Sequence, residues 1–573
     1  MNTILNIATP SEAATRRLVG HLHCHPATAK ALVNRGITEP LEAKRFWEAP
    51  LNGLQPPFSM KGMREAVDRI SRSLHQNETI LIFGDYDVDG VTATTILYDF
   101  LMTAGGVVSY YIPHRVLEGY GLKSRHIREV ALSRQTRLII TVDCGIGSHD
   151  AVQEANAHGI DVIITDHHEP PKTLPTAHSV VNPKRADCRS GLRNLAGVGV
   201  VFCLLVSLRR HLRRLNFKWP SGGEPNLKSY LDLVALGTIA DMVPLTADNR
   251  ILSKHGLHVL NTNPRAGMKA LSDISGMSKN RRIDSEDIAF RLAPRLNAAG
   301  RMDHAVNAVR LLVATDPEQA LHYSLDLGKF NTERQLVEQK MMYEIQAHIE
   351  NHPRLLEQNG LIFAHEGWHV GVLGIVASRL VRTYHRPAIL ISLTNGIGKG
   401  SGRSVNGLDL HAVLCRCKES LVGFGGHSQA VGLEITSSKF EEFKERFHQS
   451  ISDLTVAEGT GGQVFIDDIL SFTDIDVRLA MELERLQPFG TGNPEPVFLA
   501  QNIKMINPVM IGSAHRRMQL MQENGRSKIV FNTMEFNFKN PPPPGGLLEW
   551  AAFRIRHNTW GGKDSVQLFL ERF

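Results

Sequence analysis

From residue 79 to about 245, short apolar runs alternate with stretches of helical periodicity. Runs at 79–83, 107–112, 138–142 and 162–165 have the length of buried strands, and 91–101 reads as a helix. Strands separated by helices predict a mostly parallel sheet covered on both faces. The run 195–208 is apolar throughout but too short to cross a bilayer. Arg209, Arg210, Arg213 and Arg214 follow it, so a buried helix is expected. A further helical stretch at 230–241 stops before Pro244.

Upstream, residues 1–75 are amphipathic and helical in pattern. Downstream, Leu321, Leu325, Leu327, Leu336, Met341, Ile345 and Ile349 recur on a charged background, as in one or two long helices bridging domains at 316–352. A second α/β unit follows at 353–456, with strands at 361–364 and 387–392 around a helix at 371–383. After a loose 457–462 linker the runs shorten again, to 463–469, 497–505, 517–522, 528–534, 548–555 and 565–570. A helix at 477–486, a proline-rich turn at 541–546 and a hairpin turn at 560–563 punctuate them. Five or six short strands predict a small β-barrel of OB type at 463–573, a common binder of single strands. Arg516, Arg517, Arg526, Lys528, Arg554, Arg556 and Lys563 would supply charge, and Trp550, Phe553 and Trp560 could stack on bases, although each reads more readily as core. The expected fold class is α/β: a parallel-sheet domain at 76–315, a connecting helix, a second α/β domain and a barrel.

Chemistry collects at the ends of the predicted strands. The first ends in Asp85, Asp87 and Asp89, then Gly90; another ends in Asp143; a third in Asp166, His167 and His168. The 230–241 helix ends in Asp241. Asp-x-Asp-x-Asp-Gly also opens a calcium loop, but that loop needs a Glu at its twelfth position, where Ile96 stands. Single aspartates after strands often only cap helices. Together, however, they fall at strand ends that converge on one sheet edge, the usual ligand edge of such folds. Asp87, Asp89, Asp143, His167 and Asp241 would carry a charge of about −4, matched by two divalent cations, since concentrated buried charge needs compensation. Oxygen donors with one imidazole suit manganese or magnesium, with cobalt or zinc as alternatives, better than calcium. Two such metals suit displacement at phosphorus.

Composition narrows the class. At 573 residues the chain exceeds one core; 42% hydrophobic and 21% charged residues are globular values, and a net charge of +6 is compatible with a polyanionic partner. Six cysteines without a Cys-x-x-Cys pair point to the cytoplasm, and the N-terminus carries no secretory pattern and no membrane segment. His21, His23, Cys24 and His25 match no common zinc spacing and read as coincidence. Arg115, after a strand and a proline, is placed for a phosphate oxygen but reads equally as a surface arginine.

Gly84-Asp-Tyr-Asp-Val-Asp-Gly90, Val142-Asp-Cys-Gly145, Thr165-Asp-His-His168 and Gly237-Thr-Ile-Ala-Asp-Met-Val-Pro-Leu245 resemble, in order, the four motifs of the DHH phosphoesterase superfamily. Their wording is nearest to that of its bacterial single-strand-specific exonucleases. The resemblance implies Asp87, Asp89, Asp143, His167 and Asp241 as ligands of two Mn2+ or Mg2+ ions, with Asp143 bridging. Asp85 and Asp166 would either ligate or orient a neighbour, and His168 would donate to the scissile phosphate. The string Arg291-Leu-Ala-Pro-Arg-Leu-Asn-Ala-Ala-Gly-Arg301 is similar to another of the superfamily's, making Arg295 and Arg301 substrate contacts that Asn297 would help to orient. Gly425, Gly426, His427, Ala430 and Gly432 match the signature of the substrate-binding DHHA1 domain, and Ser401 and Arg403 would grip a terminal 5′ phosphate. By themselves both glycine-rich strings, 398–404 and 423–432, read more readily as tight turns. The implied activity is 5′–3′ degradation of single-stranded DNA to mononucleotides in recombination and repair, beside a single-strand-binding protein and a recombination helicase. A phosphoesterase for short oligonucleotides, dinucleotides or polyphosphate is the alternative, and a non-catalytic DNA-binding scaffold a third.

Overall fold

The computed structural model describes residues 4–573 except 221, 278–280, 455–462, 513, 526, 539–540, 542–543 and 561–562. The 457–462 linker, Arg526, the side chain of Trp560 and parts of the two barrel turns lie outside the described residues.

The first lobe is built on a five-stranded, all-parallel sheet in the order Val107–Tyr111, Thr79–Gly84, Leu138–Val142, Asp161–Thr165, Ser179–Val181. The central strands are buried on both faces, which is why they read as unbroken apolar runs. The short Ser179–Val181 strand carries too little pattern to stand out in the sequence. The chain leaves Thr79–Gly84 for one neighbour and returns to pair on its other side, so the ends of Thr79–Gly84 and Leu138–Val142 form a topological switch point. Helices Val88–Thr103, Gly197–Arg214 and Leu231–Ala240 pack together on one face of this sheet in one core.

A single helix of 35 residues, Pro317–Asn351, opens with the Asp316 carboxylate capping Gln319 and carries the chain to the second lobe. At 1.5 Å per residue it spans about 52 Å. The second sheet runs Gly423–Gly426, Ala430–Thr436, Ile397–Arg403, Ala388–Thr394, Leu361–Glu366. The first glycine-rich string is therefore a strand rather than a turn, and the second is two strands joined by a turn at 427–429. Gly398, Gly400 and Gly402 face the apolar core, where a Cβ would press on Ile391, Leu433 and Val431 at 2.7–2.9 Å. Their neighbours Lys399, Ser401 and Arg403 consequently share the opposite face.

Six strands form the barrel, Asp468–Ile469, Phe498–Ile511, His515–Asn524, Ser527–Phe536, Lys563–Arg572 and Leu547–Trp560, the last closing back on Phe498–Ile511. The N-terminal region divides. Helix Met63–Gln76 packs into the first lobe, whereas Glu12–Leu22, Pro26–Asn34 and Pro40–Glu48 share one core with the barrel. The first described residues also include a strand, Ile4–Ile7, paired parallel with Gln463–Ile466. His25 caps Pro26–Asn34 by accepting from the Ala27 amide, and Cys24 is buried. Arg250, fully buried, ties this composite body to the first lobe. It donates to the carbonyls of Phe46, Leu486 and Arg485 at 3.0, 2.7 and 3.2 Å and lies 3.7 Å from the Phe46 ring centre.

Candidate metal centre and nucleic-acid cleft

Register places the acidic residues. Gly84 is level with Val142, and Val142 with Thr165, so the next residues, Asp85, Asp143 and Asp166, stand side by side. Their amides extend the ladder, donating to Val142, Thr165 and Val181 carbonyls. Asp143 takes a left-handed conformation (φ 60°), uncommon outside glycine and characteristic of functional positions. Asp87 caps the next helix, accepting from the Gly90 amide at 3.1 Å, and puts Asp89 in its first turn. Asp241 enters from the C-terminus of Leu231–Ala240.

The predicted residues meet. Ligand atoms of Asp85, Asp87 and Asp143 lie within 4.8 Å of one another, as do those of Asp89, His167 and Asp241, and those of Asp143, His167 and His168. His167 Nε2 is 3.1 Å from Asp143, 3.6 Å from Asp241 and 3.7 Å from Asp89. Both ring nitrogens of His167, Asp143 Oδ1 and Asp85 Oδ1 are buried without hydrogen-bond partners. Buried polar atoms are rarely left so, and His167 Nε2 faces Asp143 Oδ1 across 3.1 Å. Burial, followed by its neighbouring aspartates, raises the pKa of Asp143 well above the carboxylate range. Burial and Asp87 raise Asp89 to about 7, and burial with Asp89 raises Asp241 to about 9. Burial and His168 lower His167 to about 3, leaving a neutral imidazole. This donor set, with orphaned oxygens and a neutral nitrogen in one basket, fits two divalent cations.

His168 is held differently. Its Nδ1 lies 2.8 Å from Asp166 Oδ1, and although burial opposes the charge, that carboxylate pushes its pKa up to about 9. Asp166 itself accepts from the amides of Ile146, His167 and His168. It thus orients His168, the second of the two roles the sequence leaves open. Tyr120 completes the arrangement, its hydroxyl 3.2 Å from the Asp143 carbonyl oxygen and 3.1 Å from His168 Nδ1.

The sequence reading does not single out Gly197 and Val198. Their amides, at the head of Gly197–Arg214, donate to Asp89 Oδ2 and Oδ1 at 2.6 and 2.8 Å. A Cβ on Gly197 would lie 2.6 Å from Asp143 Oδ1, so only glycine lets this helix reach two carboxylates at once. The available signal was the Gly-Val-Gly that opens an apolar helix.

A basic pocket faces the basket from between the lobes. Arg301, half-buried on Ala293–Met302, donates to the Gly371 carbonyl at 3.0 Å; desolvation, then Arg115, Arg334 and Arg403, lowers its pKa to about 9. Burial and Arg115 also lower Arg403. Arg403 Nη1 is 3.3 Å from Ser401 Oγ, and a Cβ on Gly374 would lie 2.8 Å from Arg403 and 3.0 Å from Ser401. The N-terminus of Leu373–Tyr384 therefore stands over both. Among the described residues no carboxylate pairs with Arg115, Arg301 or Arg403. Buried Glu338 is bound instead by Arg334 at 3.0 Å and Arg379 at 2.5 Å. Guanidinium groups without counterions at a helix N-terminus form an anion site. Arg295 lies behind it, donating to the Arg291 carbonyl and neighbouring Arg334. Asn297 Oδ1 is buried without a partner. His427 sits at the turn between two strands, with no described side-chain bond to the arginines.

The barrel corrects the expectation that Arg516, Arg554 and Arg556 supply free charge. Arg516 is buried against Glu535, Arg554 is paired with Glu495 and Glu571, and Arg556 with Glu495 and Glu286, so none is a free charge for nucleic acid. Phe553 is core, and Trp550 packs beside Leu499 and Ala552. Among the described residues no helix is long and apolar enough to cross a membrane.

The chain matches the sequence models of the DHH family N-terminal domain over residues 79–238, the DHHA1 domain over 357–453 and the RecJ OB domain over 466–572. It is 36% identical over 571 residues to the single-stranded-DNA-specific exonuclease RecJ of Bacillus subtilis, covering 99% of this chain and 70% of that protein. To the Escherichia coli exonuclease of the same name it is 34% identical over 558 residues, 95% of each chain. The crystal structure of RecJ from Thermus thermophilus in complex with Mn2+ superposes with a TM-score of 0.82 at 29% identity, covering 100% of this chain and 79% of that one. A manganese-bound exonuclease RecJ matches with a TM-score of 0.59 at 34% identity over 69% of this chain and 96% of that one.

Proposed function

The chain belongs to the RecJ family of single-stranded-DNA-specific exonucleases, and on that premise we propose that it removes mononucleotides from the 5′ end of single-stranded DNA. Asp87, Asp89, Asp143, His167 and Asp241 would hold two divalent cations, manganese or magnesium, with Asp143 between them and Asp85 supporting. When bound, such a pair supplies an activated water and neutralises charge on the phosphate.

The remaining steps belong to the chain's own side chains. With Nδ1 committed to Asp166, His168 has Nε2 left to donate, to the scissile phosphate or to the departing oxygen. Arg115, Arg301, Ser401 and Arg403 receive the terminal 5′ phosphate, drawn by charge that no acid cancels. Arg295 and Asn297 support that wall, and His427 borders the strand that carries the DHHA1 signature. The observation that carries this reading is the pairing of a metal basket with an uncompensated arginine pocket across one cleft. A grip on the terminal phosphate beside the cleavage centre fixes polarity from the 5′ end. The third body favours long strands over dinucleotides or polyphosphate, since those need only the two lobes.

Such an enzyme acts in the cytoplasm, in recombination and repair, on strands supplied by a helicase and covered by a single-strand-binding protein. Assays on 5′- and 3′-labelled single strands and duplexes, with EDTA and with added manganese, test the reading. Mononucleotides released only from the 5′ ends of single strands, and only with metal, are expected; release from 3′ ends or from blunt duplex would refute it.

A further inference from the structure

Tyr86 is the residue of the first acidic motif that no metal requires. It stands between Asp85, at the end of Thr79–Gly84, and Asp87, the cap of Val88–Thr103, so the backbone that aims the carboxylates also fixes its ring. Gly300 makes room beside it: a Cβ there would lie 3.0 Å from the Tyr86 carbonyl oxygen and 3.6 Å from its Cβ. The Arg115 guanidinium carbon lies 4.6 Å from the centre of the Tyr86 ring, and the Tyr120 ring stands edge-on 6.5 Å away. Among the described residues Arg115 has no hydrogen-bond or ion-pair partner.

A cation over an aromatic face is attracted by the ring quadrupole. A carboxylate could hold Arg115 as firmly, but it would cancel the charge that a phosphate needs. An aromatic face orients the guanidinium and leaves its charge available. Through Tyr86, one dipeptide step of backbone thus joins the metal basket to the phosphate pocket.

We propose that Tyr86 is a positioning residue for Arg115, a ruler that sets the distance from terminal phosphate to cleavage centre and so the preference for 5′-phosphorylated ends and the mononucleotide product. This rests on the reading that Arg115 contacts the terminal phosphate. The test compares kcat/KM on 5′-phosphorylated and 5′-hydroxyl strands of one sequence, with product lengths resolved. Tyr86→Phe keeps the ratio within about twofold of wild type. Tyr86→Leu, which removes the aromatic face, lowers it roughly tenfold and yields dinucleotides beside mononucleotides. Fluorinated phenylalanines at position 86 keep the ring's size while weakening its face, and cover the case of a Leu variant that does not fold. The ratio then declines stepwise with fluorination. Equal losses on both ends, or a ratio indifferent to fluorination, would overturn the proposal. Arg115→Ala run in parallel separates the two layers. If it leaves the ratio unchanged, the terminal-phosphate reading fails; if it collapses the ratio while Tyr86→Leu does not, only the role of Tyr86 fails.

Discussion

Gly197→Ala puts one methyl group where the structure has no space for it. The new Cβ would sit 2.6 Å from Asp143 Oδ1 and 2.7 Å from Asp143 Cβ, well inside van der Waals contact, so either Asp143 or the head of Gly197–Arg214 must move. If Asp143 moves, the carboxylate best placed to bridge two cations leaves its position. If the helix moves, the amide bonds of 2.6 and 2.8 Å to Asp89 lengthen. A hydrogen bond to a charged group contributes about 1.5–3 kcal/mol. Losing one of the two therefore weakens cation binding by roughly 10- to 150-fold, at about 1.4 kcal/mol per tenfold. Alanine is the better helix former, so the helix itself does not suffer. Titrating the full chain with Mn2+, read by calorimetry or by the electron paramagnetic resonance of free Mn2+, measures this without reference to turnover. Gly199→Ala is the control: its Cβ would meet only the Leu195 side chain, at 3.2 Å, and Mn2+ affinity should stay near wild type. Wild-type Mn2+ affinity in Gly197→Ala would mean that the helix head does not shape the basket.

Three further outcomes follow from the same geometry. Asp143→Ala should abolish cleavage yet leave single-strand binding within a few-fold by fluorescence anisotropy; substantial residual turnover would remove Asp143 from the bridging position. Arg250→Ala removes three hydrogen bonds to carbonyls, of which that of Leu486 keeps Asn493 as a donor, and leaves the space under Phe46 empty, a loss of about 3–5 kcal/mol. The first thermal transition should fall by several degrees and the 4–48 segment become protease-sensitive, and an unchanged transition would show that Arg250 does not dock the barrel body. In the metal-free chain Asp89 and Asp241 keep protons to about pH 7 and pH 9, whereas an unfolded carboxylate releases its proton near 4. The folded state thus binds more protons between those limits, so stability is full below about pH 4 and falls as pH rises through 7 and 9. Cations need the ionised groups, so the rise in melting temperature on adding Mn2+ should grow from pH 6 to 8.5; a shift that stays flat would contradict the buried-carboxylate account.

The sequence displays the metal centre more fully than the cleft, and the reason is geometric. Asp85, Asp143 and Asp166 each follow an apolar run of five or six residues, and parallel register makes equal run lengths end at equal height. A local pattern therefore encodes a tertiary coincidence. No such rule governs Arg115, Arg301 and Arg403. They come from a loop, a helix and a strand in two lobes joined by 35 helical residues, and an arginine's length hides where its charge ends. The same gap explains the barrel arginines: Arg554 and Arg556 look free until Glu495 and, from the first lobe, Glu286 are brought to them.

The glycine strings failed for a different reason. Gly398, Gly400 and Gly402 suit a loop by propensity, but they alternate with Lys399, Ser401 and Arg403, and period two is a strand's period. In that light the glycines are what a flat core face under large neighbours requires, and the polar triplet takes the opposite face, where the proposed phosphate pocket lies. The shared core of the N-terminal helices and the barrel was beyond any local pattern, because Ile4–Ile7 finds its partner more than 450 residues away. That closure has a mechanical consequence. The N-terminal helices and the barrel form one body, which docks to the first lobe through Arg250 on Ala247–Thr262, a helix packed against Leu231–Ala240. Asp241 caps Leu231–Ala240, so this docking braces the element that carries one of the proposed metal ligands.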